Sequence, residues 1–390
     1  MKYKVRTRDQ HFQLDGAPKR ILALDGGGLR GILTVGFLAR VEALLRDRHG
    51  AGDDFRLCHY FDLIAGTSTG AIIAAALASG WSVAEVERRY LELGRRVFER
   101  SMFRQGFLRA KYDEAKLIEE LKTLLGAKVT LGSDDLKTGL LIVTKRLDSG
   151  SPWPLGNNPR GRYYERSADS GAIANADYPL WQVVRASTAA PAFFDPERLT
   201  IIEETGKAPV TGEFVDGGVS PFNNPSLQAL MYATLEGYRV GWPVGADKLL
   251  LVSVGTGARD PSVKPSSIAA GHAVKSLVSL MDDCAALVET MLQWMSSSPT
   301  ARVIDSELGD LRHDLVASTP LLSYLRYNVE LSPDRVRELD PTLTNPAAVE
   351  NLTAMDDPNN MDVLRKLGGL AAQRLVRAED FASNFDLPAE

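Results

Sequence analysis

An uncharged stretch of nineteen residues, 63–81 (LIAGTSTGAIIAAALASGW), limits most strongly what this chain can fold into. A segment of that length could span a bilayer, whose hydrocarbon core takes about 20 apolar residues of helix. Its composition argues otherwise, because it is rich in Ala, Gly, Ser and Thr and poor in the bulky side chains that lipid favours. We therefore predict a buried β-strand that runs into a buried helix.

Short apolar strands alternate with amphipathic helices through the first two thirds of the 390 residues. Strands are predicted at residues 20–25, 61–67, 139–146, 212–216 and 248–254, and helices at 29–46, 69–78, 85–98, 113–124 and 225–236. The strands are apolar without the two-residue alternation of a half-exposed sheet. This pattern predicts an α/β fold with a mostly parallel central sheet and helices on both faces.

Three parts of the chain are distinguished by their patterns. We expect residues 1–17 to form an N-terminal arm, 18–262 the catalytic α/β domain, and 263–390 a mainly helical C-terminal extension packed on that domain. The strand–helix alternation stops near residues 260–267. Beyond it, residues 268–295 and 346–381 are predicted to be mostly helical, and 321–331 to hold one strand. The segment 151–162 (SPWPLGNNPRGR) is predicted to be a loop because Pro, Gly and Asn dominate it.

The charge and cysteine content exclude several classes of protein. Lys and Arg number 45 against 50 Asp and Glu, so stable nucleic-acid binding is not expected. Two cysteines far apart, Cys58 and Cys284, cannot make a disulfide framework or a cysteine zinc site by themselves. The first residues lack the apolar run of a secretory signal, which leads us to expect a cytoplasmic protein. We find no cluster with metal-ligand spacing and expect no metal.

A glycine-rich turn at residues 25–31 (DGGGLRG) follows the first strand and opens the first long helix. Gly26, Gly28 and Gly31 satisfy the G-x-G-x-x-G pattern, so dinucleotide binding is one interpretation. That fold also needs an acidic residue at the end of a second strand. Asp47 has roughly that spacing, but it falls in or just after the helix. The other interpretation is an oxyanion site, because N–H groups at a helix start converge on one point.

A second motif, residues 66–70 (GTSTG), places Ser68 between a predicted strand and a predicted helix. This is the G-x-S-x-G nucleophile elbow in its required context. Gly66 and Gly70 flank the serine because the turn is tight and bulk would block the approach of substrate. The plain alternative is a small-residue loop that only connects two elements.

A third motif, Asp216-Gly217-Gly218, ends the apolar strand predicted at residues 212–216. A carboxylate at the carboxyl end of a strand lies where α/β proteins usually place their sites. Asp-Gly-Gly is also common in simple turns, so this motif alone leaves both interpretations open.

Taken in order, DGGGxRG, GxSxG and DGG resemble the motifs of the patatin-like phospholipase family. Two further segments, 185–191 (RASTAAP) and 223–225 (NNP), are similar to that family as well. The resemblance extends from about residue 20 to residue 257 and does not cover the C-terminal extension. It implies a patatin-like three-layer α/β fold and a phospholipase A-type hydrolase that cleaves fatty acyl esters of membrane glycerophospholipids.

The resemblance also implies a Ser–Asp dyad without a cofactor. Ser68 would be the nucleophile and Asp216 the proton acceptor, and an adjacent base is what activates a hydroxyl. Gly26, Gly27 and Gly28 would supply oxyanion N–H groups, with Arg30 adding positive charge nearby. The remaining motif positions are Gly31, Gly66, Gly70, Gly217 and Gly218.

A Ser-His-Asp triad is the competing enzymatic interpretation. Ser68, Asp216 and His272 have the chain order of an α/β-hydrolase triad. His272, however, lies in SIAAGHAVKSL, which is predicted to be helix interior, whereas a triad histidine usually follows a strand in a loop. We therefore favour the dyad.

Partners and regulation are expected from the same resemblance. Some bacterial members resemble membrane-degrading effectors that cyclic nucleotides switch on in antiviral defence, so a cyclic-nucleotide activator is a hypothesis for this chain. We expect transient contact with membrane phospholipids, peripheral at the inner membrane when active. Residues 100–112 (RSMFRQGFLRAKY), basic and aromatic, are a candidate membrane contact or an ordinary solvated surface. The oligomeric state is not indicated.

Overall fold

A computed structural model describes residues 3–98, 114–166, 171–191, 193–258 and 269–388. In residues 269–277 only the backbone is described; everywhere else in these ranges the side chains are described as well. The basic segment 100–112 and the whole boundary predicted at 260–267 lie outside the described residues. The strands are β1 (Lys19–Leu24), β2 (Leu63–Thr67), β3 (Gly139–Arg146), β4 (Pro152–Gly156), β5 (Glu197–Ile202), β6 (Val210–Asp216), β7 (Leu249–Val254), β8 (Ser296–Ser297) and β9 (Leu322–Tyr327).

The helices alternate with these strands in the first part of the chain and follow one another in the last part. They are α1 (Arg8–His11), α2 (Gly31–Arg48), α3 (Leu57–Tyr60), α4 (Thr69–Ala78), α5 (Val83–Val97), α6 (Glu114–Leu125), α7 (Leu180–Ser187), α8 (Ser226–Thr234), α9 (Ala269–Met295), α10 (Pro333–Leu339), α11 (Pro346–Asn351) and α12 (Met361–Leu375).

The strands form one sheet in the order β5-β6-β3-β2-β1-β7-β9-β8, with β4 paired to β3. The central pairings β3-β2, β2-β1, β1-β7 and β7-β9 are parallel. Those of β6 with β3 and with β5 are antiparallel. The prediction of a mostly parallel central sheet is therefore confirmed, with an antiparallel margin on one side.

Helices cover both faces of the sheet, as expected. Alternate residues of a strand point to opposite faces, so Leu22 and Ile64 pack in one core and Ile21 and Leu63 in the other. The larger core contains the apolar faces of α2, α4, α5 and α12. The uncharged stretch 63–81 is β2 followed by α4, all of whose residues are buried. Within the described residues, no helix combines the length and apolarity needed to cross a membrane.

Besides the two-residue β8, which pairs with β9, two strands differ from the sequence-based expectation. The predicted loop 151–162 contains β4, which pairs antiparallel with β3. A proline is tolerated there because β4 lies at the side of the sheet, where a missing N–H costs little, and Trp153 stacks on Phe214. The second, β5, was not predicted at all and pairs with β6.

The residues after 262 pack directly on the earlier elements. β9 lies beside β7 in the sheet, so this part contains a central strand as well as helices. Helix α12 packs on α2 so closely that a Cβ on Gly36 would lie 2.6 Å from the carbonyl carbon of Gly368. The boundaries at residues 17 and 262 stay a prediction.

Candidate active site

The three sequence motifs meet at one edge of the sheet. β1 and β2 are parallel neighbours, so the glycine loop after β1 and Ser68 after β2 leave the sheet side by side. Asp216 ends β6 opposite Thr144, near the carboxyl end of β3. This is the edge at which open α/β sheets usually form their sites.

Ser68 occupies a tight strand-to-helix turn. Its φ of 53° lies in the left-handed region, which is strained for a residue with a side chain. The flanking glycines are needed for close approach: a Cβ on Gly66 would lie 2.3 Å from the Gly70 carbonyl oxygen, and one on Gly70 would lie 2.2 Å from that of Leu24. The turn thus lifts the serine out of the sheet and into the site.

The Ser68 hydroxyl donates a hydrogen bond directly to the Asp216 carboxylate. The distance from Oγ to Oδ2 is 2.5 Å. The other carboxylate oxygen, Oδ1, accepts the Gly218 N–H at 2.7 Å, and the Asp216 N–H donates to the Ala189 carbonyl at 3.0 Å. A Cβ on Gly217 would lie 2.3 Å from the Val143 carbonyl oxygen, so the turn after Asp216 also needs its glycine.

The environment of Asp216 sets its proton affinity. The residue is 5% exposed, and burial raises the pKa of its carboxyl to about 6. The hydrogen bonds from Ser68 and Gly218 and the positive charge of Arg185 lower this pKa and limit the rise. At neutral pH Asp216 is therefore ionised and can accept a proton, with a basicity well above that of a solvated aspartate.

A buried serine in the RASTAAP segment, Ser187, supports the turn that carries Ser68. Ser187 Oγ accepts the Ser68 N–H at 2.9 Å and donates to the Val143 carbonyl at 2.6 Å. Sequence reasoning gave Ser187 no role. Its partners are 119 and 44 positions away, and no local pattern reveals such contacts.

The three glycines of the loop do not contribute equally. The Gly26 N–H donates to the Asn223 carbonyl at 3.0 Å, so it is already engaged. Gly27 and Gly28 line the cavity next to Ser68, and within the described part of the chain their N–H groups meet no acceptor. Two of the three predicted oxyanion donors are thus open to a ligand.

Arg30 lies beneath the loop. It is buried, and its Nη1 donates to the Gly257 carbonyl at 3.0 Å. Arg30 is not among the described residues that line the cavity. This position favours a role in anchoring the glycine loop over the direct charge contribution expected from the resemblance. A Cβ on Gly31 would lie 2.6 Å from the Tyr90 hydroxyl, which fixes the start of α2 against α5.

A buried ion pair anchors the start of the same loop. Arg326 of β9 donates two hydrogen bonds to the Asp25 carboxylate, at 2.9 and 2.6 Å. It also donates to Ser253 Oγ at 2.7 Å. The fork geometry of a guanidinium suits such a two-point contact. No local sequence pattern indicates this pair, whose members are 301 positions apart.

An apolar cavity of about 260 Å³ opens over Ser68. Its walls come from several helices and from residues beyond 262: Leu29, Ile72, Leu93, Leu117, Phe193, Met281 and Met355. Ser68, Asp216, Gly27 and Gly28 stand at one side of it. A cavity with so few polar groups is suited to a hydrocarbon chain whose reactive end meets the serine.

The two alternative interpretations, a Ser-His-Asp triad and a dinucleotide-binding site, find less support in this geometry. His272 lies within α9, and its side chain is outside the described residues; among the described side chains, no histidine lines the cavity. For a dinucleotide, the acidic residue should end the second strand of the βαβ unit. That place is held by Ser68, while Asp47 lies on the surface near the end of α2.

Comparison with known proteins identifies relatives of this chain. Residues 22–230 match the family described as patatin-like phospholipase. The cGAMP-activated phospholipase of Vibrio cholerae serotype O1 is 31% identical over 261 residues, which are 64% of this chain and 67% of that protein. The cUMP-AMP-activated phospholipase of Escherichia coli is 36% identical over 220 residues, which are 55% of this chain and 59% of that protein.

Among solved structures, human GIVD cytosolic phospholipase A2 aligns with a TM-score of 0.44 and 12% identity, over 94% of this chain and 60% of that chain. The chain spans about two thirds or less of the length of the relatives named above. The family match covers more than half of this chain, and relatives named as phospholipases support an ester-hydrolysing enzyme that acts on lipid acyl groups. The chain belongs to the patatin-like phospholipase family.

Proposed function

We propose that this protein is a phospholipase A-type hydrolase of membrane glycerophospholipids that works through a Ser68–Asp216 dyad. The observation that carries the proposal is the 2.5 Å hydrogen bond from Ser68 Oγ to Asp216 Oδ2 beside an apolar cavity. A base within hydrogen-bond reach is what turns a serine hydroxyl into a nucleophile.

The proposed reaction has two halves. Ser68 Oγ attacks the ester carbonyl carbon while its proton passes to Asp216 Oδ2. The resulting oxyanion accepts hydrogen bonds from the N–H groups of Gly27 and Gly28. The intermediate collapses, the C–O bond to the leaving alcohol breaks, and Asp216 returns the proton to that alcohol. Water then attacks the acyl-serine ester and gives a proton to Asp216. Collapse of the second intermediate releases the fatty acid, and Ser68 recovers its proton.

The cavity supports a fatty acyl group as the part of the substrate that is recognised. Its apolar walls reward the burial of methylene groups, each of which contributes about 0.8 kcal/mol. The serine and the two open amides stand together at one side, so a chain lying in the cavity places its carboxyl carbon at the nucleophile.

The experiment combines active-site labelling with product analysis. A fluorophosphonate probe should label Ser68, and vesicles of defined phospholipids should release fatty acid with the wild type but not with Ser68→Ala, as measured by mass spectrometry. His272→Ala is the control that separates dyad from triad, and it should retain activity while Asp216→Ala loses nearly all of it. The reverse ranking would establish the triad. Stoichiometric NAD binding with an unlabelled serine would favour a dinucleotide-binding module.

We also propose that activity is regulated by a cyclic nucleotide and exerted at the inner membrane, as in a bacterial antiviral effector. Two relatives carry the names cGAMP-activated and cUMP-AMP-activated phospholipase, which motivates the proposal. Fatty-acid release should rise with one member of a panel of cyclic di- and trinucleotides, and the protein should co-sediment with anionic vesicles only while active. Activity that is the same across the panel would reject the regulation.

A further inference from the structure

The peptide group between Gly26 and Gly27 is held on its carbonyl side by two side chains. Thr256 Oγ1 donates to the Gly26 carbonyl oxygen at 2.9 Å, and Asn223 Nδ2 donates to the same oxygen at 3.4 Å. Thr256 is 4% exposed and follows β7, which lies beside β1 in the sheet. The shorter hydrogen bond to this carbonyl is therefore the one from the threonine hydroxyl.

Because the peptide group is planar, holding the Gly26 carbonyl also fixes the direction of the Gly27 N–H. In a trans peptide the C=O and the following N–H lie in one plane and point in opposite directions, and the described chain has no cis peptide bond. Because the Gly26 carbonyl points towards Thr256, the Gly27 N–H points away from it. Gly27 lines the cavity at Ser68, so this amide is aimed where the ester carbonyl oxygen would lie.

Thr256 is itself rigidly placed. The N–H of Gly255 donates to the Tyr327 carbonyl at 2.9 Å, and the N–H of Gly257 donates to Asn328 Oδ1 at 2.9 Å. The side chain of Thr256 is also in close contact with Gly27, because a Cβ there would lie 2.1 Å from Thr256 Oγ1. A support fixed on both sides by β9 and its following residue can hold the peptide without moving during the reaction.

We propose that Thr256 is a positioning residue for the oxyanion hole, which orients the Gly27 N–H by holding the Gly26 carbonyl. The proposal rests on the hydrolase function proposed above. Without the hydroxyl, the peptide can rotate and turn its carbonyl oxygen towards the cavity, where a partial negative charge opposes the developing oxyanion. The ground-state ester is neutral and is bound mainly by the apolar walls, so the loss falls on kcat.

The test replaces the hydroxyl and then restores it. Thr256→Val keeps the shape of the side chain and should lower kcat on a soluble ester by about 10- to 100-fold, below the 10²–10³-fold cost of deleting an oxyanion donor outright. KM should change by less than about twofold. Thr256→Ser keeps the hydroxyl and should recover kcat to within about threefold of the wild type. Inactivation by a fluorophosphonate should slow in Thr256→Val, because its phosphoryl oxygen uses the same donor.

A matched control separates positioning from loss of stability. Thr138 is also buried, and its hydroxyl donates to a backbone carbonyl, that of Phe61, at 2.6 Å. It lies before β3, at the opposite edge of the sheet from Ser68. Thr138→Val should therefore lower the melting temperature with little change in kcat. Thr256→Ala is a second test variant should Thr256→Val fold poorly, and it should lose at least tenfold in kcat.

The outcomes separate the two proposals. An active wild type whose Thr256→Val and Thr256→Ala variants keep kcat, or lose no more than Thr138→Val, would overturn the role of Thr256 and leave the hydrolase proposal intact. A fall in Thr256→Ser as large as that in Thr256→Val would also overturn it. A wild-type chain in which Ser68 is not labelled and no ester is cleaved would overturn both.

Discussion

Asp62 at the amino edge of the sheet and Asp216 at its carboxyl edge are both buried, and their carboxylates are opposite in character. Asp62, just before β2, accepts the Arg20 N–H at 2.8 Å and contacts Arg20 Nε at 3.1 Å, His11 Nδ1 at 2.9 Å and Arg6 Nη2 at 2.7 Å. The carboxylate of Asp216, at the carboxyl edge, has only the Ser68 hydroxyl and the Gly218 N–H as hydrogen-bond partners among the described residues.

The proton affinities follow from these partners. Burial alone would raise both pKa values. At Asp62 the charge of Arg20, the hydrogen bond of His11 and the charge of Arg6 outweigh burial and hold the pKa well below its usual range. At Asp216 burial prevails, and the pKa rises to about 6. Between these two residues, burial prevails where the carboxylate is bonded by a hydroxyl and an amide, and it is outweighed where two guanidinium groups and an imidazole contact the carboxylate.

The largest expected effect is on activity at the Asp216 edge. Asp216→Ala and Ser68→Ala should each lower fatty-acid release by at least about 10⁴-fold, as removal of a dyad or triad member does in serine hydrolases. Glu213→Ala is the matched control, because Glu213 is a half-exposed carboxylate of the same strand paired with Arg198. Equal losses in the two carboxylate variants would show that the strand, and not the Asp216 carboxylate, is what matters.

The next largest effect is on stability at the Asp62 edge. Asp62→Asn leaves Arg20 and Arg6 without their buried counter-charge, which should cost about 3–5 kcal/mol of unfolding free energy. Denaturant titration measures it. Asp15→Asn, which removes a half-exposed partner of Lys19, should cost less than about 1 kcal/mol. A mild Asp62→Asn phenotype would contradict the structural role assigned to this carboxylate.

A smaller effect of opposite sign is expected when Asp216 is neutralised. Because its pKa is raised to about 6, the ionised form costs stability at higher pH, at about 1.4 kcal/mol per pKa unit. The free energy of unfolding of Asp216→Asn should therefore exceed that of the wild type by about 1–3 kcal/mol at pH 8. The gain should shrink at pH 5, where Asp216 of the wild type is itself protonated in the folded state. Destabilisation at pH 8 would be incompatible with the raised pKa.

The smallest expected effect is the pH dependence of the wild type. The kcat/KM for a soluble ester should fall tenfold per pH unit below about 6, as the Asp216 carboxylate takes up a proton. Asp62 stays ionised through this range, because its pKa is depressed and its contribution to stability is lost only in more acidic solution. Circular dichroism should thus show folded protein over the pH range in which kcat/KM falls. An unfolding transition in the same pH range would show that loss of the fold, and not protonation of Asp216, causes the fall in kcat/KM.

The elements and residues that sequence reasoning located are those with local patterns. β1, β2, α2 and α4 follow from apolar runs and periodicity, and the positions of Ser68 and Asp216 follow from short motifs that end strands. The prolines in β4 favour a loop over a strand, and β5 (ERLTII) has too short a pattern to separate it from irregular chain. Pairing with β3 and β6 decides both.

The supporting contacts could not be predicted in the same way. Thr256, Ser187 and Arg326 act on residues that are 230, 119 and 301 positions away, so nothing in their neighbourhood marks them. The engagement of Gly26 by Asn223 is likewise a consequence of folding. A glycine motif indicates that several backbone N–H groups lie close together. Which of them remain free to bind a ligand depends on the acceptors that the fold places next to them.

A backbone contact from the last part of the chain bears on how these proteins can be recombined. The Leu29 N–H donates to the Met355 carbonyl at 2.8 Å, and a Cβ on Gly28 would lie 2.3 Å from that same oxygen. A gene shortened to the family-matched residues 22–230 would encode all three motifs but leave the glycine loop without Met355. Chimaeras that exchange C-terminal halves between relatives would therefore exchange part of the catalytic apparatus as well, even though no motif is altered.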